Sequence, residues 1–102
     1  MVLIKYLCDR IESEIHDACS YIDEAMRYKS EKPETAEVLY QLSIGEMEDM
    51  ETLHDEVVRL IEEYRKEHGE PPEKMKWRYE FLHERQVADA TRVKIKQEMF
   101  KA

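Results

Sequence analysis

The sequence contains little glycine and proline, with two glycines and three prolines among 102 residues. Both residue types mark turns, so the sequence signals few turns. No internal repeat, low-complexity tract or strand-like alternation of apolar and polar residues is present. Charged residues make up 39% of the chain instead. This composition is typical of a helical protein and does not indicate an architecture of many short strands.

Long apolar runs are also missing, so no transmembrane segment is predicted. The apolar start MVLIKYLC is short and runs directly into DRIESE, which indicates the first turns of a helix and not a secretion signal. The two cysteines, Cys8 and Cys19, lie about 16 Å apart on one predicted helix and cannot pair within it. Free thiols are usual in a reducing compartment, so we expect a cytoplasmic protein.

Acidic residues outnumber basic ones, and the formal net charge is −8. This charge argues against non-specific binding to nucleic acid or to anionic membranes, and neither partner is expected. The charge is uneven: residues 1–70 carry 8 Lys/Arg against 19 Asp/Glu, a net −11, whereas residues 71–102 carry 8 against 5, a net +3. The basic segment either attracts the acidic one or forms a small anion-binding face.

Two breaks divide the chain into three predicted helices. The first is KSEKPE, where Pro33 opens a helix, and the second is EHGEPPE, where Gly69 ends one and Pro71 and Pro72 prevent its continuation. Short loops between long helices imply antiparallel neighbours. We therefore predict one all-α domain, residues 1–102, folded as an antiparallel three-helix up-down-up bundle. The predicted helices span about residues 3–29, 34–67 and 73–100.

The second predicted helix carries carboxylates close to its apolar stripe. With 100° per residue, the stripe consists of Leu39, Leu42, Met50, Leu53, Val57, Leu60 and Tyr64. Glu46 lies near the centre of this stripe, and Glu14 lies at the border of the stripe of the first helix. A buried unpaired charge costs several kcal/mol. Glu46 is therefore bound to a cation, paired or protonated, unless the helical phase is off by one residue.

The third predicted helix has two apolar faces. One consists of Met75, Tyr79, Leu82, Gln86, Ala90, Val93 and Phe100. The second, nearly opposite, consists of Trp77, Phe81, Ala88, Ile95 and Met99. A three-helix monomer needs only one of them. The second is either covered by long basic side chains or is an association surface. We expect association, as a homodimer or higher oligomer whose partner helices complete a four-helix or larger bundle.

Carboxylates on facing helices are the ligands of hard or borderline cations such as iron and manganese. Glu46 and Asp49 are three residues apart, so both point to one side of the helix, and Glu14 is a candidate bridging ligand from the antiparallel neighbour. His54 and His83 are further candidate ligands. Each lies at the border of an apolar stripe, where a histidine is also common as a packing residue.

At these residues the chain resembles ferritin-like and rubrerythrin-like proteins. The segment AEVLYQLSIGEMEDMETLH is close to their A-x-x-L-x-x-L-[AS]-x-x-E-x-x-H pattern, and EIHDACSY has a glutamate followed seven positions later by tyrosine. The chain is most similar to short ferritin-like proteins of gut Firmicutes and their prophages. The segment LHDEVVRLIEEYRKEHGEPPEKMKWRYEFLH continues the similarity, so the resemblance covers most of the chain, with motifs of moderate specificity.

The resemblance implies a ferritin-like fold and iron or manganese ligation by Glu14 and Glu46, with the residue at i+3 as third ligand. Asp49 occupies that position where the family usually has histidine, which implies a weaker, retuned or vestigial site. Two copies of these three residues around a two-fold axis would build one di-iron site between subunits. Ferroxidase or peroxide-type chemistry is expected only with bound metal. The alternative is a non-enzymatic interaction module, such as a phage accessory protein, with a degenerate site.

Overall fold

The computed structural model describes residues 2–102 and forms three α-helices: α1 (Val2–Tyr28), α2 (Pro33–His68) and α3 (Glu73–Lys101). Their ends differ from the predicted ends by at most one residue, and the described residues contain no strand. The prediction of an all-helical three-helix bundle is thus confirmed. The bundle is a rod of 55 × 19 × 18 Å. Across residues 2–102, no helix has the length and apolarity needed to cross a bilayer.

The helix ends follow the glycine and proline positions. Pro33 is the first residue of α2, where the missing N–H costs nothing because first-turn N–H groups have no partner within the helix. Gly69 follows α2 with φ of +78°, a left-handed conformation that favours glycine, and its N–H donates to the carbonyl of Arg65 at 2.9 Å. Pro71 and Pro72 then separate α2 from α3.

The core lies mainly between α1 and α2, which pack together most closely; we call this pair, Val2–His68, the hairpin. Its buried apolar residues are Ile4, Cys8, Ile11, Ile15, Ala18, Ile22, Ala25, Ala36, Met47, Met50 and Val57, joined by Ala90, Val93 and Phe100 of α3. On α2 the buried side is centred on Ser43 and Met47, and Leu42 of the predicted stripe is 45% exposed. The predicted stripe was displaced because α2 contacts α1 and α3 on two different sides.

A buried polar contact joins all three helices. The Ser43 hydroxyl donates to the carbonyl of Ala18 at 2.7 Å, and the Gln97 Nε2 donates to the Ser43 hydroxyl oxygen at 2.9 Å. Ser43 and Ala18 have no solvent exposure, and Gln97 is buried. These three residues form what we call the polar node. Because buried polar groups require partners, the node allows only one register of the three helices.

Ion pairs attach α3 to the hairpin. They are Arg85–Glu12, Lys96–Asp23, Lys94–Glu51 and Lys101–Glu37. The Lys96 ammonium donates to Asp23 at 2.8 Å, and this hydrogen bond raises the pKa of Lys96. The attraction that the sequence predicts between its basic third segment and its acidic remainder is therefore present, although exposed pairs contribute only up to about 1 kcal/mol each.

Removing the hydroxyl of the polar node should destabilise the fold. In Ser43→Ala, the Gln97 amide stays buried without its acceptor, so we expect the free energy of unfolding to fall by about 1–3 kcal/mol. Urea denaturation measures this change. Thr52→Ala is the matched control, because the Thr52 hydroxyl makes an exposed bond within its own helix. Equal effects of the two substitutions would contradict a structural role for the node.

Candidate metal centre

The three candidate carboxylate ligands lie together. Glu14 from α1 and Glu46 and Asp49 from α2 each place one carboxylate oxygen within 4.8 Å of the other two. We call these residues the carboxylate cluster. Within residues 2–102 it is the only group of three or more His, Cys, Asp or Glu side chains with such spacing. The pairing of facing helices thus brings together side chains that are 35 positions apart in the chain.

The polar node explains why these side chains meet. Glu14 precedes Ala18 by four residues, and Glu46 follows Ser43 by three. Because α1 and α2 are antiparallel, the two displacements run in the same direction, by about 6 and 4.5 Å. Asp49 lies a further three residues along α2, on the same side of the helix as Glu46. The cluster therefore sits about one helical turn from the node.

The cluster opens on the side of the hairpin opposite to α3. Glu14 is rotated about 120° around α1 from Cys8, whose carbonyl accepts a hydrogen bond from Gln86 of α3. Glu46 is rotated about 140° around α2 from Glu51, which pairs with Lys94 of α3. We call this side the free face. No His, Cys, Asp or Glu side chain of α3 belongs to the cluster.

Glu14 is buried, with 7% exposure, and one oxygen is already bound. Its Oε1 accepts a hydrogen bond from Nη2 of Arg10 at 2.6 Å, one turn earlier on α1. This bond fixes the orientation of the carboxylate and partly compensates its charge. Sequence reasoning missed Arg10, although Arg and Glu four residues apart on one helix are a recognisable pair.

One carboxylate oxygen of Glu46 is buried without a hydrogen-bond partner. Its Oε2 is enclosed and has no hydrogen bond, and it is the only such side-chain oxygen or nitrogen among residues 2–102. Three carboxylates face one guanidinium here, so the cluster carries a formal charge of −2 when all three are ionised. A buried acceptor without a donor costs about 1–3 kcal/mol, more when it is charged. The arrangement therefore favours an additional cation.

The two candidate histidines are not part of the cluster. His54 of α2 and His83 of α3 stack on each other with ring centroids 5.2 Å apart, and the Tyr79 ring stacks on His83 at 5.9 Å. Both histidines line an open groove of about 460 Å³ on the α3 side of the hairpin. The structure therefore separates the five candidate ligands into a carboxylate group on the free face and a histidine pair elsewhere.

The candidate interface residues of α3 are exposed. Trp77 and Phe81 are each 64% exposed, Ile95 is 52% exposed and Met99 is 56% exposed, while Ala88 between them is also exposed. None of the five belongs to the core of the three-helix unit. Long basic side chains therefore do not bury this face.

Comparisons of the chain with protein-family models, with curated proteins and with solved structures find no match. The ferritin-like resemblance consequently stays a prediction from the sequence.

Replacing the half-buried Glu46 with leucine should stabilise the metal-free protein. Glu46→Leu removes the unpartnered oxygen and places an apolar side chain of similar size in the hairpin, so we expect the free energy of unfolding to rise by about 1–3 kcal/mol. Denaturation with a chelator present measures it. Glu48→Leu is the control because Glu48 is exposed. If the Glu46→Leu protein were less stable than the wild type, the inference that the unpartnered Oε2 of Glu46 destabilises the metal-free fold would be wrong.

Proposed function

We propose that this protein binds a divalent metal ion through Glu14, Glu46 and Asp49. The observation that supports the proposal is the enclosed Oε2 of Glu46, which faces no donor although two further carboxylates lie beside it. Oxygens bound to one ion at about 2.0–2.4 Å are at most roughly 4–5 Å apart. The spacing of up to 4.8 Å is therefore compatible with one ion after small side-chain adjustments.

The ligand set is made entirely of carboxylates, which suits hard ions such as Mn²⁺ and also accommodates Fe²⁺. Iron is the ion that the ferritin-like resemblance implies, whereas Asp49 in place of an imidazole favours manganese. Arg10 would hold one oxygen of Glu14 and so orient it for ligation, as outer partners of metal ligands commonly do. Both ions therefore belong in the test.

We further propose that two copies complete the centre. Three carboxylates fill about half of a six-coordinate shell. The cluster lies near the middle of both helices of the hairpin. A two-fold axis through it would therefore bring two hairpins into contact along their whole lengths. Leu42 beside it is 45% exposed and would be covered by the second copy. The result would be the predicted di-iron carboxylate site between subunits, on which ferroxidase or peroxide-type chemistry depends.

Metal retention tests the proposal. We expect chelator-stripped protein, loaded anaerobically with Fe²⁺ or Mn²⁺, to retain about one ion per chain and to melt at a higher temperature. Glu46→Gln and Asp49→Asn should each weaken binding at least about tenfold, because each removes a charged ligand. Elemental analysis after desalting and isothermal titration measure retention and affinity.

Glu48→Gln is the matched control, since Glu48 lies between the two α2 ligands in sequence but is exposed and outside the cluster. Its affinity should equal that of the wild type. A folded wild-type protein that retains neither ion would refute the metal proposal.

The second candidate function is a non-enzymatic helical interaction module, such as the phage accessory role that the resemblance implies. The specific observation in its favour is the exposed apolar face of α3, where four large side chains are more than half exposed. In that case the carboxylate cluster is a degenerate site. If elemental analysis finds no metal in a well-folded oligomer, the result would support the interaction module over the metal-binding protein.

A further inference from the structure

The exposed apolar face of α3 carries charges of opposite sign on its two edges. We call its apolar residues the outer stripe: Trp77, Phe81, Ala88, Ile95 and Met99. At 100° per residue, all five fall within about 20° of Ala88 around the helix. Charged residues flank the stripe on both sides, about 40–80° from Ala88. The acidic edge consists of Glu80, Glu84 and Glu98, and the basic edge consists of Arg78, Arg85, Arg92 and Lys96.

The outer stripe is large enough to form an interface with its own copy. Its four large side chains are 52–64% exposed. Since side chains of this size have areas of roughly 150–250 Å², they leave about 400–500 Å² of apolar surface exposed on each chain. Two such faces together reach the roughly 1,000 Å² that a specific interface buries.

The charges of both edges are accessible to another molecule. Within residues 2–102, the ion pairs of α3 include none of the three glutamates of the acidic edge. Arg78 of the basic edge forms no ion pair either. Arg85 and Arg92 bind Glu12 and Asp89, and their side chains nevertheless remain 51% and 64% exposed. The acidic edge in particular lacks cations from its own chain.

The two edges determine the direction in which a second α3 fits the stripe. A two-fold axis parallel to the helices sets the acidic edge of each copy against the basic edge of the other, with equal residue numbers at equal height. The two Glu84 side chains then lie on opposite sides of the contact. The facing pairs are within about 3 Å of each other along the axis: Glu80–Arg78, Glu84–Arg85 and Glu98–Lys96. An antiparallel pair would instead set like charges against each other, which is destabilising.

The apolar residues of the stripe are compatible with this parallel arrangement. Each of them meets the same residue of the other copy across the axis. Trp77 and Phe81 form aromatic pairs at one end, and Ile95 and Met99 form aliphatic contacts at the other. Ala88, the small residue, lies at the centre, where the two backbones come closest. The order of large and small residues is the same in both directions along the helix, so the charged edges decide the direction.

We propose that the outer stripe binds a second copy of this chain, with the two α3 helices parallel and in register around a two-fold axis. Each α3 then lies between its own hairpin and the second copy. The apolar contacts supply the affinity, and the exposed ion pairs select the direction. The proposal does not rest on metal binding, because the carboxylate cluster lies on the opposite side of the hairpin. Other proteins as occupants are outcomes that the tests below separate.

Cysteine cross-linking tests the register in the full-length, chelator-treated protein. The background is Cys8→Ala with Cys19→Ser, checked for helix content and melting temperature. Phe81→Cys and Ile95→Cys should each form covalent dimers with a short thiol cross-linker, because each position faces itself across the axis. A mixture of the two, with a size tag on one, should form no mixed dimers, since these positions are about 20 Å apart. Thr52→Cys, on α2, should form none.

Two cross-linking results would overturn the proposal. Mixed dimers of Phe81→Cys with Ile95→Cys, without self-cross-linking of either, would show an antiparallel pair. Equal, weak cross-linking at all positions would indicate random collision.

Exchange of charges between the edges tests whether they face each other. Glu80→Arg and Arg78→Glu should each raise the monomer–dimer midpoint concentration about fivefold or more, because each turns two attractive contacts of the dimer into repulsive ones. An equimolar mixture of the two variants should restore the wild-type midpoint, since the heterodimer pairs opposite charges again. Glu48→Arg makes the same change of charge at an exposed position of α2 and should have no effect. If both edge variants dimerise like the wild type, the parallel arrangement is wrong.

Sedimentation of the metal-free protein tests the stripe itself. Phe81→Glu should shift the monomer–dimer midpoint to at least about tenfold higher concentration, whereas Val58→Glu, an equivalent change at a 45% exposed valine of α2, should leave it unchanged. A wild-type protein that stays monomeric up to high micromolar concentration overturns the proposal and leaves a different protein as the occupant. Loss of metal binding without loss of this dimer would refute the metal proposal alone.

Discussion

The hydrogen bonds from Gln97 to Ser43 and from Ser43 to the Ala18 carbonyl hold the three helices in one register. Apolar side chains tolerate a sliding of helices by one turn far better than a buried hydroxyl does, because the hydroxyl would lose its partners. The unexposed Ala18 and Ser43 also let α1 and α2 approach closely at this point. This contact therefore determines how the side chains of the free face are placed, including the distance between Glu14 and Glu46.

The distribution of charge follows from the same arrangement. The basic residues of α3 lie against the acidic hairpin on one side, where Arg85 pairs with Glu12 and Lys96 pairs with Asp23. The free face has no such neighbour, and Arg10 is the one cation bonded to Glu14 there. An acidic sequence that folds with its basic segment on one side thus keeps a concentrated negative charge on the other.

Helix number, helix ends and the all-α class could be read from the sequence, because glycine, proline and apolar periodicity are local signals. The sequence did not show which side of α2 packs against α1 and which side packs against α3. The predicted stripe placed Glu46 at its centre and Leu42 inside, whereas Ser43 and Met47 occupy the buried side and Leu42 is half-exposed. Helical phase alone does not say from which directions partner helices approach. For the same reason the sequence could not show that His54 stacks on His83, away from the carboxylates. It did predict that the carboxylates of Glu14, Glu46 and Asp49 lie close together. It did not predict that Arg10 binds the carboxylate of Glu14.

The slender shape of the molecule has a chemical consequence. With a cross-section of 19 × 18 Å, no atom lies much more than one helix diameter, about 10 Å, from solvent. Such a rod has no interior chamber in which reactive species could be kept dry. Shielding a reacting group from water strengthens electrostatic interactions and suppresses side reactions. On this rod, such shielding would require a second molecule packed along its side. A single copy therefore does not enclose a water-free space on its own.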